Sequence, residues 1–504
     1  MLKVLQQLLT ILPNFTTRLS AAQAATLTIT GVTDDSRQVQ PGNLFVAYRG
    51  VEADGHRYIP DAIKRGAAAV VCETEQGPAW PESTPTIQVR DGRAAFGWLC
   101  AAWHDFPSRH MTTIGVTGTD GKTTTANLIF NILKAADLKA GMISTVNAVI
   151  GTQVLETGLH TTTPDADEFQ GYLAQMRDAG MTHSVLEITS HALAQHRVDG
   201  TAFAIAAITN ITQDHLDLHG TQEAYRSAKG QLFSMARQHV LNADDPFSFF
   251  YLWQMSVEKR VIYTRQPDMA PNPNQSADGW VVATQVEHRP AAMQLRVATP
   301  IGELDIHTTL IGDFNVSNIL AAISTAILLD IPAHAIQDGI AALQGIPGRM
   351  ERIDAGQDYL AVVDFAHTPN SLDNCLRTLR TITPGRLIVV FGCAGERDAQ
   401  KRPLMGRIAA EQADVVVLTA EDPRRESLDA IMDAVEAGAR AIGSEARFTR
   451  VADRGQAIRL ACSLARAGDT VAVCGKGHEQ SMCFGTTEVP WDDRQEVRRV
   501  ASSQ

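Results

Sequence analysis

The run Gly115–Ile129, GVTGTDGKTTTANLI, constrains the fold more than any other stretch of this chain. An apolar segment ends in a glycine-rich loop, and a lysine, a row of threonines and a helix-like segment follow. That order predicts a strand, a phosphate-binding loop and a helix within a parallel sheet, with the ligand at the strand's carboxyl end. Gly118 and Gly121 permit tight turns and a close approach of the backbone to phosphate. Backbone N–H groups and the helix N-terminus add positive potential there. Lys122 is placed to reach the β- and γ-phosphates, and Thr123 to ligate Mg²⁺. Val116 stands where the strict pattern has glycine, so the loop is a variant. Alone it marks a nucleoside-triphosphate binder and does not choose among motor, switch, kinase and ligase.

The same pattern recurs down the chain. Apolar runs end in VLEITSH, VVDFAHT, VVFGCAGERD, VVVLTAEDPRR and VAVCGKGHE. Strands alternating with helices predict α/β architecture, and turns at strand carboxyl ends are expected to converge on a crevice within each sheet. A chain of 504 residues exceeds one ordinary domain. Three blocks are expected. Residues 1–108 form a small N-terminal α/β domain with strands at Leu44–Ala47 and Ala68–Cys72. Residues 109–347 form a central ATPase sheet that opens with Thr112–Thr117 and ends in β structure over Trp280–Leu310. Residues 348–504 form a doubly wound, Rossmann-like sheet with strands at Tyr359–Val363, Arg386–Phe391, Val415–Leu418 and Thr470–Cys474. Gln266–Asp278, rich in Pro, Asn and Gln, reads as a surface loop.

Composition narrows the setting. The net charge is −12, which argues against nucleic acid or an anionic membrane surface as a general partner. No apolar run reaches the ~18 residues that a membrane helix needs. The N-terminal MLKVLQQLLTIL is broken by glutamines and lacks a following cleavage site, so no signal peptide is expected. The seven cysteines are scattered without a CxxC pair, and reduced, mostly buried thiols are expected. Together these features predict a cytoplasmic protein.

Two further segments carry chemistry. His183–Ile188 is an apolar strand that contains Glu187, an acid placed where Mg²⁺ beside a phosphate loop would need one. Thr209–Phe233 groups Asn210, Asp214, His215, Asp217 and His219, mostly oxygen donors that suit Mg²⁺ and ATP better than zinc. Lys229 falls on a helix, where a lysine is ordinarily a solvated surface residue.

GTDGKTTT, EITSHALAQHRVDG, TNITQDHLDLHGTQEAYRSAK, GDFNVSNILAA, GIPGRMERI, DFAHTPNSL, GCAGERDAQKRPLMG and GKGHEQ together resemble the Mur ligases, over nearly the whole chain and in the family's order. The fullest likeness is to members that add a diamino acid to UDP-N-acetylmuramoyl-L-alanyl-D-glutamate, and Asp35–Ile59 resembles their UDP-binding domain. The resemblance implies an ATP- and Mg²⁺-dependent amide ligase that acts as a monomer in the cytoplasm through an acyl phosphate. It implies that Gly118, Thr119, Asp120, Gly121, Lys122, Thr123 and Thr124 hold the phosphates, with Asn315 and Asn318 at adenine. Arg349 and Asp364 would reach ATP from the C-terminal block on domain closure. Thr123, Glu187, His215 and a carbamylated Lys229 would hold metal. Lys122, Glu187, His215 and Lys229 would be catalytic. Ser36 would meet the uridine end of the UDP substrate, and Thr162, Thr163, Thr189, Gln195 and Arg197 its sugar and dipeptide. Thr189 replaces the usual serine, and Phe365 the usual tyrosine. A related reading is a folylpolyglutamate-type ligase; a reading of another class is a non-catalytic nucleotide switch.

Arg397, Glu421, Asp422, Pro423, Arg424, Gly475 and Glu479 match positions that hold the diamino acid. Where diaminopimelate enzymes have Asp-Asn-Pro-Arg, this chain has Glu421-Asp422-Pro423-Arg424, and AGERD replaces GGDRD. If Asp422 neutralises Arg424, the amine is expected to be L-lysine or L-ornithine. If Asp422 takes the distal ammonium instead, Arg424 remains for the distal carboxylate of meso-diaminopimelate.

Overall fold

The computed structural model describes residues 2–50, 53–73, 81, 83–155, 162–212, 214–269, 277–289, 292–443 and 447–502. It is a three-domain α/β fold built on three main sheets. The N-terminal sheet has five strands in the order Phe15–Thr17, Thr86–Val89, Ala69–Cys72, Asn43–Val46 and Gly31–Thr33. All neighbours there are parallel except the first pair.

The central sheet has eleven strands. Its parallel middle runs Ala140–Ile143, His183–Glu187, Thr112–Thr117, Phe203–Ile208, Ala236–Asn242, Lys259–Thr264 and the start of Gly279–Arg289. These strands are continuous apolar runs because helices cover both faces. Lys122–Ala135 and Asp313–Leu328 pack on one face, and Ala166–Asp178 and Gln222–Met235 on the other. The region expected as β structure over 280–310 is Gly279–Arg289, Ala292–Thr299 and Gly302–Thr308, paired antiparallel at the edge of the same sheet. Their alternating polar and apolar residues fit an edge with one face in water.

The third sheet has six strands in the order Glu351–Ile353, Leu360–Asp364, Thr470–Cys474, Leu387–Phe391, Val415–Leu418 and Arg447–Arg450. All neighbours are parallel except the first pair. A short hairpin, Ser481–Phe484 with Thr487–Pro490, stands beside it. The strands at 112–117, 415–418 and 470–474 have the expected bounds, and the other expected strands differ by single residues at their ends. Such ends shift because strand limits follow pairing, not hydrophobicity alone. Within the expected surface loop at 266–278, residues 270–276 lie outside the described residues. All seven cysteines are buried, and none is joined in a disulfide. Among the described residues no helix is long and apolar enough to cross a membrane.

Candidate active site

Sheet order places the chemistry. The phosphate-loop strand lies between the strand ending in Glu187 and the strand leading to Thr209 and Asn210, with Val116 opposite Glu187 and Thr117 opposite Ile208. Three loops therefore leave the sheet side by side. The Asn210 carbonyl accepts from the Thr119 N–H at 2.8 Å, and the Asn210 side chain accepts from the Asp120 N–H at 3.1 Å. Gly121 has φ +83°, and a Cβ there would lie 2.1 Å from Asn318 Oδ1, so only glycine fits. Lys122 donates to the Thr119 carbonyl at 2.8 Å, which folds its ammonium over the loop.

The Thr123 hydroxyl lies 3.1 and 3.0 Å from the two Glu187 oxygens. Glu187 is buried and also accepts from the Thr145 N–H at 2.9 Å. This all-oxygen pair beside a phosphate loop fits Mg²⁺, which prefers carboxylate, hydroxyl and phosphate oxygens. No cluster of three or more His, Cys, Asp or Glu that could hold a metal forms among the described residues, so an ion held by this pair would draw further oxygens from phosphate and water.

Lys229 is not on the surface. Its side chain is 1% exposed, and its Nζ donates to the Gly118 carbonyl at 2.7 Å while lying 4.5 Å from the Tyr225 ring centre. Burial, reinforced by the Lys122 ammonium, pushes its pKa well below the ordinary lysine value. The helix Gln222–Met235 turns this one face inward, with Tyr225, Ala228 and Leu232. His215 lies nearby, 3.3 Å from Asp214, with its ring edge-on to His191 at 4.5 Å. Burial pushes His215 down to about 4, against the pull of Asp214, and leaves the neutral imidazole that a metal ligand must be. His219 bonds Ser190 at 3.1 Å. The Asp217 side chain lies outside the described residues.

A cleft of about 610 Å³ lies over this loop. Thr119–Thr124, Glu187, His215, Asn315 and Asn318 line it from the central sheet, and Arg349, Asp364 and His367 from the C-terminal one. Asn318 donates to Asn315 at 3.0 Å, and Asn315 donates to the Ile311 carbonyl at 2.8 Å. Arg349 donates to the Thr123 hydroxyl at 3.2 Å, and Asn370, to which the sequence assigns no role, donates to Asp120 at 2.7 Å. The Arg349 guanidinium lies 4.5 Å from the Phe365 ring centre, so the ring keeps a contact that does not use a tyrosine hydroxyl. Burial pushes Asp364 up to about 6, although Arg349 and two backbone N–H donors oppose it.

A second cleft, of about 470 Å³, is lined by Asp34 and Tyr48 from the N-terminal sheet, Gln195 and Arg197 from the central region, and Arg397 from the C-terminal one. The Tyr48 hydroxyl donates to Asp34 at 2.5 Å. Neither residue was singled out from the sequence; Ser36, which was, lies buried and outside this lining. Arg197 donates to Gln195 at 2.8 Å and to the Thr163 carbonyl at 2.9 Å. Thr189 and Thr163 have structural work here. Thr189 caps the short helix Ser190–Ala194, and Thr163 donates to the Glu187 carbonyl at 3.0 Å. Thr162 faces the first cleft.

The turn Glu421–Arg424 corrects one expectation. Asp422 does not pair with Arg424. Its two oxygens accept from Lys476 at 2.9 and 3.0 Å, and one also accepts from the Cys483 N–H at 2.9 Å. The Arg424 guanidinium donates to the Gly395 carbonyl at 2.7 Å. The reason lies in the backbone: Asp422 and Arg424 have φ of 42° and 50°, so the two side chains do not share a face as residues two apart do in a strand. Burial pushes Glu421 up to about 8, against Lys401, Arg454 and Lys476, and its Oε2 lies against Gly475, where a Cβ would come within 2.4 Å. Glu479 pairs with Lys476. Lys476 lies inside the GKGHEQ stretch, but no spacing in the sequence ties it to Asp422.

Three family profiles match this chain: "Mur ligase family, catalytic domain" over 28–104, "Mur ligase middle domain" over 116–326, and "Mur ligase, glutamate ligase domain" over 348–477. A UDP-N-acetylmuramyl-tripeptide synthetase of Roseiflexus sp. (strain RS-1) is 44% identical over 492 residues, 94% of each chain. A UDP-N-acetylmuramoyl-L-alanyl-D-glutamate–2,6-diaminopimelate ligase of Gloeobacter violaceus is 41% identical, again over 94% of each chain. A solved structure of such a diaminopimelate ligase matches with TM-score 0.67 at 31% identity, covering 100% of this chain and 99% of the other.

Proposed function

The chain belongs to the Mur ligase family, and from that premise we propose that it joins a diamino acid to UDP-N-acetylmuramoyl-L-alanyl-D-glutamate at the expense of ATP. One observation carries the reading. Residues of all three domains meet around two clefts that are both lined by the segment 162–197, and Arg349 and Asn370 reach the phosphate loop from the C-terminal domain. Residues 1–108 would take the UDP end, 109–347 ATP, and 348–504 the amine.

A carboxylate is a poor electrophile, so the dipeptide's terminal carboxylate first takes the γ-phosphoryl group of ATP. The acyl phosphate formed has a good leaving group. The amine then attacks the carbonyl carbon, and inorganic phosphate departs from the tetrahedral intermediate as the amide forms. The protein's share is positioning and charge neutralisation. Gly118–Thr124 wrap the phosphates, and Lys122 and Arg349 add positive charge. Mg²⁺, held by Thr123 and Glu187 with His215 near a second site, would neutralise charge on the phosphates. Carbamylation of Lys229 needs a neutral amine, which its burial favours, and would turn it into an anionic oxygen ligand. With such a precursor and ATP as substrates, the reaction would take place in the cytoplasm.

For the amine, the guanidinium of Arg424 lies clear of Asp422, which favours a distal carboxylate and therefore 2,6-diaminopimelate. The relatives named as diaminopimelate ligases support the same reading. A second reading, L-lysine or L-ornithine, draws on the two acids, Asp422 and Glu479, that both pair with the Lys476 ammonium beside the turn.

A folate ligase has no use for the cleft between Asp34, Tyr48 and Arg197, and melting curves separate the two. UDP-N-acetylmuramoyl-L-alanyl-D-glutamate at about 100 times its Kd should add ~2.7 kcal/mol of stability and raise Tm, whereas a folate should not. A folate shift without a UDP-substrate shift would overturn the proposal.

A further inference from the structure

Lys476 is wholly enclosed, with 0% of its side chain exposed. Its ammonium donates to both oxygens of Asp422, 54 positions away, and also pairs with Glu479. Asp422 in turn accepts from the Cys483 N–H. The Lys476–Asp422 pair thus joins three segments: the turn Glu421–Arg424, the loop carrying Gly475 and Glu479, and, through the Asp422 carboxylate, the hairpin that begins at Ser481.

The turn depends on such ties. Asp422 and Arg424 both have φ in the left-handed region, which residues other than glycine adopt only when their surroundings hold them there. Arg424 forms a β-bridge with Phe484: its N–H donates to the Cys483 carbonyl at 3.2 Å, and its carbonyl accepts from the Gly485 N–H at 2.9 Å. The place of Arg424 therefore follows the hairpin, and Asp422 and Lys476 tie the hairpin to the Glu479 loop.

We propose that Lys476 is a positioning residue for amine selection, holding Arg424 and Glu479 at a set separation and, through Asp422, setting the charge that the distal end of the diamino acid meets. The inference rests on the ligase reading above. Asp422 offsets the Lys476 ammonium beside the turn. With asparagine at 422 that ammonium loses one of its two acidic partners, which strengthens the attraction for a distal carboxylate and weakens it for a distal ammonium. Arg424 and Asp422 therefore pull selection in opposite directions, and Lys476 sets the balance.

The test is the initial rate of phosphate release with diaminopimelate, L-lysine and L-ornithine, for the wild type, Lys476→Met, Lys476→Arg and Asp422→Asn. Asp422→Asn is expected to raise the ratio of kcat/KM for diaminopimelate over that for L-lysine by about tenfold. Lys476→Met is expected to raise the KM for the preferred amine by about tenfold, with the KM for ATP and for the UDP substrate moving by less than about threefold. Lys476→Arg keeps the charge and should retain more of the amine affinity. An unchanged amine ratio in Asp422→Asn, or a Lys476→Met variant that raises all three KM values alike, overturns the positioning role. If Lys476→Met does not fold, the ratio in the near-isosteric Asp422→Asn decides. A wild type that releases no phosphate with any of the three amines overturns the ligase reading and the inference with it; an active wild type with unmoved variants overturns the inference alone.

Discussion

Glu421 keeps a proton at neutral pH that an exposed glutamate would have lost, because burial pushes it from the usual 4.5 up to about 8. The folded chain therefore binds this proton over a window in which the unfolded chain has released it. Where the native state holds more protons, stability falls as pH rises. The contribution of Glu421 is thus most favourable below about 4.5 and is lost as pH climbs towards 8. Glu421→Gln should flatten the decline of Tm between those limits relative to the wild type. Parallel Tm–pH curves for the two proteins would show that the residue titrates normally. The residue scale is also where the sequence is least legible. Lys229 has the spacing of a surface helix lysine; only the family likeness marked it, and its burial comes from packing against Tyr225 and the Gly118 carbonyl. Asp422 was read with its chain neighbour Arg424, but its partner, Lys476, lies on another strand's loop.

Elements were far more legible, since apolar runs and the turns that end them are local properties. Thr112–Thr117, Val415–Leu418 and Thr470–Cys474 could be bounded from composition alone. What the runs do not reveal is their order in the sheet, and order decides which loops meet. Thr470–Cys474, almost last in the chain, sits between Leu360–Asp364 and Leu387–Phe391. Arg454 holds the ends of two strands in that sheet. It is buried, pairs with Asp493 at 2.6 Å, and donates to the carbonyls of Ala420 and Cys474, the residues just before Glu421 and Gly475. Arg454→Met leaves the Asp493 carboxylate buried without its cation and should cost about 3–5 kcal/mol. Arg454→Met with Asp493→Leu should recover much of that loss. Denaturant unfolding of the C-terminal domain followed at Trp491, which donates to Asp493 at 2.7 Å, reads both variants. A single variant as stable as the wild type would contradict the role given to this pair.

At the scale of the whole molecule, no sheet holds the site alone. Thr123 and Glu187 belong to the central domain, Arg349 reaches Thr123 and Asn370 reaches Asp120 from the C-terminal one, and the second cleft takes Tyr48 from the N-terminal one. Three substrates meeting at three sheets is the central claim, and omission of each substrate in turn tests it most directly. Inorganic phosphate released by the wild type is measured with ATP, Mg²⁺, UDP-N-acetylmuramoyl-L-alanyl-D-glutamate and 2,6-diaminopimelate, and then with each component left out. Sustained release, with one UDP-tripeptide formed per phosphate, is expected only when all are present. Release that continues undiminished without the UDP-dipeptide or without the amine, or no release from the complete mixture, would contradict it.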